Sequence, residues 1–297
     1  MKYSVSWSRI SLEIMRNILR LIAFVALVLV SMNVYAFDNQ SFDRWQNDKF
    51  SMFVHFGLYS HLGGVWDGEP VKRGYSEQIQ SFAGIFSDWY AATAEEFDPV
   101  NFDAPAIAAL AKQAGMRSIV FTSKHHDGFC MFDSVTTDFD SVEATPAGRD
   151  YVKELSGACR EAGIRFGLYF SLIDWHYPHA YPISSHNCDF ITPQHHEFSK
   201  AQVTELLTNY GPISELWFDM GSNRPEQSQE LYELVHKLQP NCMVSGRLGN
   251  GWYDFAVMAD NKYPEGALQA PWQSAASMFD ETWSYRSWQK RGDKHEK

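Results

Sequence analysis

The 297-residue sequence is poor in cysteine, in positive charge and in long apolar runs. Its four cysteines, Cys130, Cys159, Cys188 and Cys242, are widely spaced and form no CxxC pair. That argues against a zinc ribbon or a thioredoxin-type centre and leaves any disulfide pairing unassigned. HEXXH and HxH spacings are missing, and so are GxGxxG and GxxxxGK[ST], the usual marks of helix-borne zinc and of nucleotide phosphate cradles. Lys and Arg number 25 against 36 Asp and Glu, giving a net charge of -11. Nucleic acid and anionic membrane surfaces are therefore poor partners, because both carry the same sign of charge. No repeat, low-complexity tract or long Pro-, Gly- or Ser-rich linker marks a domain boundary after residue 36.

What the chain does contain is apolar and aromatic: 45% hydrophobic residues, with ten Trp and fourteen Tyr. That is enough for a substantial core and for flat apolar faces on which a neutral ligand can rest. Near the N-terminus, Arg16 and Arg20 precede the apolar run Leu21 to Val30, and Val34-Tyr35-Ala36 has the small-residue pattern of a cleavage site. Residues 1–36 are expected to be a signal peptide, with Met15 a plausible start. Residues 37–297 would then be secreted or periplasmic. A membrane anchor needs about 20 apolar residues, roughly twice this run, so no stable span is expected after cleavage.

Along the rest of the chain, strand-like runs alternate with helical ones. The strand candidates are 50–57, 117–123, 165–171, 214–219, 242–247 and 253–259. Between them, APAIAALAKQAG has Asp103 as N-cap and Gly115 as stop, and DYVKELSGACREAG has Asp150 and Gly163. FSKAQVTELLTNYG and EQSQELYELVHKLQ supply two further helices. Alternation of this kind implies parallel pairing, in a (β/α)8 barrel or an open doubly wound sheet. The barrel is favoured because residues able to do chemistry fall in phase at the strand ends: His55, His125 and His126, Tyr169, Asp219, Arg247, with Glu265 shortly after its strand. At the C-terminal mouth of a barrel such residues converge.

Asp219 ends an apolar strand beside Trp217 and Phe218, where a carboxylate can act as a nucleophile or simply cap a helix. Glu265, in a loop over the same face, would make a carboxylate pair of the kind glycoside hydrolysis uses. Adjacent strand residues point to opposite faces, so His125 and His126 are awkward joint metal ligands. They remain candidates for a structural role, a metal, or hydrogen bonds donated to hydroxyls or carboxylates. Trp66, Trp175, Trp217, Trp272 and Trp283 lie in or beside these loops, as core or as stacking surfaces for a sugar ring.

The blocks FVHFGLYS, GVWDGEPVKRGYSE, FDPVNFDAPAIAALAKQAGMRSIVFTSKHHDGFCMFDS, GLYFSLIDWH, QVTELLTNYGPISELWFD and PWQSAASMFDETWSY together resemble the catalytic domain of family 29 glycoside hydrolases, the retaining α-L-fucosidases. They occur in the family's order over residues 40 to 288. The resemblance implies a TIM-like barrel with neither metal nor cofactor, acting on terminal α-L-fucose of an oligosaccharide or glycoprotein glycan. It makes Asp219 the nucleophile and Glu265 the acid/base. His55, Glu77, His125, His126, Tyr169, Trp217 and Arg247 become sugar-binding residues, and Asp127 a turn or supporting residue. Three departures stand out. Gln78 replaces a frequent Trp, and Gln273 replaces a frequent Glu. The sequence also stops before the expected last strand and helix, without a C-terminal β-sandwich. An incomplete barrel is thus expected, with an inactive or fucose-binding-only fragment as the alternative function.

Overall fold

A computed structural model describes residues 39–180, 183, 189–279 and 282–289. The expected signal segment, residues 1–36, and Cys188 lie outside the described residues. Cys130, Cys159 and Cys242 are buried free thiols.

The fold is α/β, built on a parallel central sheet. Its strands are β1 (Ser51–Val54), β2 (Ser118–Lys124), β3 (Arg165–Ser171), β4 (Glu215–Asp219) and β5 (Met243–Val244), paired in sequence order. One register row runs Val54, Phe121, Leu168, Leu216, Val244. Beyond β5 a parallel bridge joins Ser245 to Phe255, and β6 (Ala256–Val257) pairs in parallel with β7 (Trp272–Gln273). The order therefore continues around an arc.

This arc is strongly curled. β1 and β4 are separated by two strands, which in a flat sheet would put them about 14 Å apart. Yet the rings of Phe53 and Trp217 meet at 5.3 Å. Curling brings Phe53, Val120, Tyr169, Trp217, Met243 and Phe255 into one inner cluster, separate from the larger core beneath the helices. The strand pattern predicts a barrel; the described residues form a curled parallel sheet with this cluster on its inner side. Among the described residues no strand pairs β7 to β1, so ring closure is not part of the observed sheet.

Three of the longer helices begin at a side-chain cap. α1 (Asn39–Asp48) places Trp45 against Phe255, with ring centroids 4.6 Å apart, at the base of the inner cluster. α2 (Ala104–Gln113) is capped by Asp103 and α3 (Tyr151–Ala162) by Asp150, whose side chains accept the N–H groups of Ala106 and Lys153. α3 stops at Gly163, whose φ of 70° suits glycine. α4 (Pro193–Asn209) starts five residues earlier than the apolar pattern suggests, because Thr192 caps it and Pro193 occupies the first turn. α5 (Pro225–Leu238) likewise begins on proline. The later strands are shorter than their apolar runs: after β5 the chain turns at once into a 3-10 turn, Gly246–Leu248, which lifts Arg247 to the sheet's C-terminal side.

Candidate active site

At the C-terminal ends of the strands lies a cavity lined by eight of the nine residues expected to form the site: His55, Glu77, His125, His126, Tyr169, Trp217, Asp219 and Arg247. Glu265 is not among them; it is exposed in the loop between β6 and β7. Gln78, Asp260 and Trp283 complete much of the wall. A more open depression around Val100–Pro105 has its one cation, Arg149, fully engaged with Glu154 and the carbonyls of Pro99 and Phe102.

Asp219 ends β4 and is held by two donors. The Tyr169 hydroxyl donates to Oδ2 at 2.8 Å from the neighbouring strand, and Arg247 Nη1 donates to Oδ1 at 2.7 Å. The next residue, Met220, has φ 57°, so the chain leaves the strand through a left-handed turn that keeps the carboxylate at the mouth. Arg247 spends its other arm on Asp260 and lies 4.8 Å from the Trp217 ring centre. Burial would lower its pKa, yet Asp219 and Asp260 hold it above the ordinary value. Asp260 is the residue sequence reasoning missed. It directly follows the 253–259 run, so the strand-end rule that selected Asp219 would have selected it too.

His125 and His126 are buried and His55 is partly buried, and all three are held below the ordinary imidazole range. Burial, then His126, lowers His55 to about 3. His125 lies well below the ordinary imidazole range for the same leading reason. His126 is lowered to about 3 by burial, then by Arg247 and Lys124. His126 Nδ1 lies 2.7 Å from Ser171 Oγ, whose own proton goes to the Ile173 carbonyl. A hydroxyl has one proton to give, so Nδ1 carries the imidazole proton and Nε2 is left an acceptor, the reverse of the donor role expected for this ring. Among the described residues, Nδ1 of His55 and of His125 are buried with no hydrogen-bond partner.

Glu77, in the turn Ser76–Gln78, is fixed from far along the chain. Its Oε2 accepts from Thr282 Oγ1 and the backbone N–H groups of Trp283 and Ser284 at 3.1–3.2 Å, while buried Oε1 has no protein partner. Burial outweighs these bonds and raises its pKa. Asp127 faces away from the cavity, accepting from Tyr90 Oη at 2.6 Å and from the Phe129 N–H, the turn role expected of it. Behind the histidines, Lys124 and Asp174 form a buried ion pair at 3.1 Å.

Trp175 packs 5.5 Å from His126. The grouping among described residues that could geometrically hold a metal ion lies elsewhere, at His196, Glu197 and Glu230, where Lys200 already bonds both glutamates.

Carboxylates, imidazoles and indoles thus gather in one cavity at the strand ends of a curled parallel sheet, a lining with the chemistry to receive a hydroxyl-rich ligand. A family model described as alpha-L-fucosidase matches residues 30–297, and the chain belongs to that family. Alpha-L-fucosidase 1 of Arabidopsis thaliana is 32% identical over 69% of this chain and 36% of its own length. A putative alpha-L-fucosidase of Caenorhabditis elegans is 29% identical over 84% of this chain and 54% of its own length. The chain thus spans a third to a half of these curated relatives. Among solved structures, unliganded alpha-L-fucosidase AlfC from Lactobacillus casei aligns with TM-score 0.75 and 37% identity, over 85% of this chain and 83% of that one. A further AlfC structure, at 36% identity and TM-score 0.74 over 84% and 82% of the two chains, is a complex with Fuca(1,6)GlcNAc.

Proposed function

We propose that this chain is a retaining α-L-fucosidase that removes terminal α-L-fucose from glycans or glycoconjugates by double displacement. The observation that carries the reading is Asp219, aimed into the cavity by Tyr169 and Arg247. In the first step an Asp219 oxygen attacks the anomeric carbon, the bond to the leaving oxygen breaks, and a general acid protonates that oxygen. In the second step water, deprotonated by the same group, displaces the aspartate and releases fucose.

For the acid/base, position supports Asp260 over Glu265. Asp260 lines the cavity and shares one guanidinium with Asp219. Two carboxyl groups on the two arms of one arginine fit the roughly 5–5.5 Å separation of retaining enzymes. Neutral His55, His125 and His126 with the free Glu77 oxygen suit the hydroxyls of fucose, His126 accepting through Nε2. The apolar face of the sugar suits Trp217 and Trp283. A terminal fucose on an N-acetylglucosamine, such as AlfC holds, is a substrate of the right chemistry.

The test is turnover of an aryl α-L-fucoside by the purified protein, with proton NMR of the first-formed sugar. Retention requires α-L-fucose before mutarotation. Initial β-fucose overturns the double displacement, and binding of fucose without turnover favours a binding-only protein. Export is part of the same reading, supported by the residue pattern ahead of Ala36. N-terminal sequencing of exported protein should begin at Phe37.

A further inference from the structure

Behind the cavity wall, polar side chains from separate elements form a part-buried relay. The Trp217 indole N–H donates to Gln273 Oε1 at 2.8 Å, and Gln273 Nε2 donates to Glu215 Oε2 at 3.0 Å. The same Glu215 oxygen accepts the Trp45 indole N–H at 3.0 Å. Glu215 fits because residue 167 of β3 is glycine: a Cβ there would lie 2.7 Å from Glu215 Cγ.

An indole N–H only donates, and a carboxylate only accepts. Joining one to the other takes a group that accepts at one end and donates at the other, which a primary amide does. A carboxylate at 273 would still accept from Trp217 but would face a Glu215 oxygen at hydrogen-bond distance, where two negative charges do not coexist without a shared proton. An aliphatic side chain would strand the indole N–H.

Trp217 matters because of what rests on it. Tyr169 stacks on its ring at 5.9 Å and 20°, and the Arg247 guanidinium lies 4.8 Å from its centre. Those are the two groups that hold Asp219. Gln273 itself does not line the cavity.

We propose that Gln273 is a positioning residue: by clamping Trp217 to Glu215 it fixes Tyr169 and Arg247, and through them the aim of Asp219. This rests on the fucosidase reading of the site. The charged groups around the clamp are Arg165 of β3, itself paired with Asp48 of α1, on the Glu215 side, and Arg247 with Asp219 and Asp260 on the Trp217 side.

The experiment compares Gln273→Leu, Gln273→Glu and the swapped double variant Glu215→Gln/Gln273→Glu. Each is assayed for kcat and KM on an aryl α-L-fucoside from pH 4 to 8, with the Trp217 indole N–H followed by nitrogen-15 NMR. Gln273→Leu should lose at least tenfold in kcat with KM changed less than threefold, and its indole signal should shift and exchange faster. Gln273→Glu should keep activity at low pH, where the carboxyl pair holds a proton, and lose it as pH rises and that proton leaves. The swap restores an amide–carboxylate pair in reversed order and should remove the added pH dependence. Wild-type kcat in Gln273→Leu, or an unaltered pH profile in Gln273→Glu, overturns the proposal. Should Gln273→Leu fail to melt cooperatively, the swap decides: recovery of kcat supports the clamp, and loss equal to that of Gln273→Glu overturns it. If the wild type itself does not turn over, the fucosidase reading fails while the indole signal still tests the clamp, and an unchanged signal in Gln273→Leu overturns it.

Discussion

Arg247 binds Asp219 through one arm of its guanidinium and Asp260 through the other, so a single cation links two of the three carboxylate side chains that line the cavity. Tyr169 also donates to it, so two side chains from different elements fix the orientation of the Asp219 carboxylate.

Replacing Asp219 by alanine should therefore lower kcat on an aryl α-L-fucoside by about three orders of magnitude or more. Azide, small enough to occupy the vacated space, should restore release of the aryl group and yield β-fucosyl azide. Turnover undiminished in Asp219→Ala would remove it from the mechanism.

Asp260 and Glu265 separate by leaving group. General acid help is worth about 10²–10⁴-fold and matters least when the departing group is already stable. Asp260→Ala should slow alkyl fucosides far more than nitrophenyl fucosides, and Glu265→Ala should slow both by at most a few-fold. The opposite pattern would return the acid to Glu265.

Two buried groups should leave opposite marks on stability against pH. His126 is lowered to about 3, so as pH falls below about 6.5 the unfolded chain takes up a proton that the folded one refuses. Its stabilising effect is complete above that pH and declines toward pH 3. Asp127 is raised to about 7, by burial first, so its effect is complete below about 4 and is lost as pH rises through 7. Relative to wild type, the Tm of His126→Asn should improve on acidification from 6.5 to 3. That of Asp127→Asn should improve as pH rises from 4 to 7. Melting curves with flat differences would contradict both assignments.

The Lys124–Asp174 pair lies under the histidine-bearing turn with almost no exposure of either side chain. Burial alone would raise Asp174, but Lys124 leads the groups that hold it below its ordinary value. Lys124→Met should cost about 3–5 kcal/mol in denaturant unfolding, because it strands a buried carboxylate. A loss under 1 kcal/mol would show that Asp174 reaches water.

Much of this was legible in the sequence because parallel α/β sheets put chemistry at strand ends. His55, His125, His126, Tyr169, Asp219 and Arg247 fall in phase there, and Asp103, Asp150 and Gly163 bound their helices as local rules require. Glu265 was favoured for its carboxylate and its loop, but a loop sequence does not say which way its tip points. Asp260, one residue past a strand run, was overlooked for lack of a motif. Long-range partners were not legible at all. Glu77 depends on Thr282 and Trp283, and Lys124 on Asp174, through contacts that no local pattern encodes. β5 and β6 fall inside the expected strands 242–247 and 253–259 but are shorter, because those runs continue as turns, and β7 lies outside every expected strand.

Residues 282–289 tie back to the loops that follow β1, with Ser284 on Ser60, Ser287 and Trp288 on Gly63 and Gly64, and Arg286 on Gly74. These bonds join positions more than 200 residues apart, so the chain must bring distant stretches together before they form. During synthesis, Glu77 and His55 are made early and then wait for Trp283. The full wall of the cavity therefore arrives with the last of these residues to leave the ribosome, well after the sheet beneath it has been made.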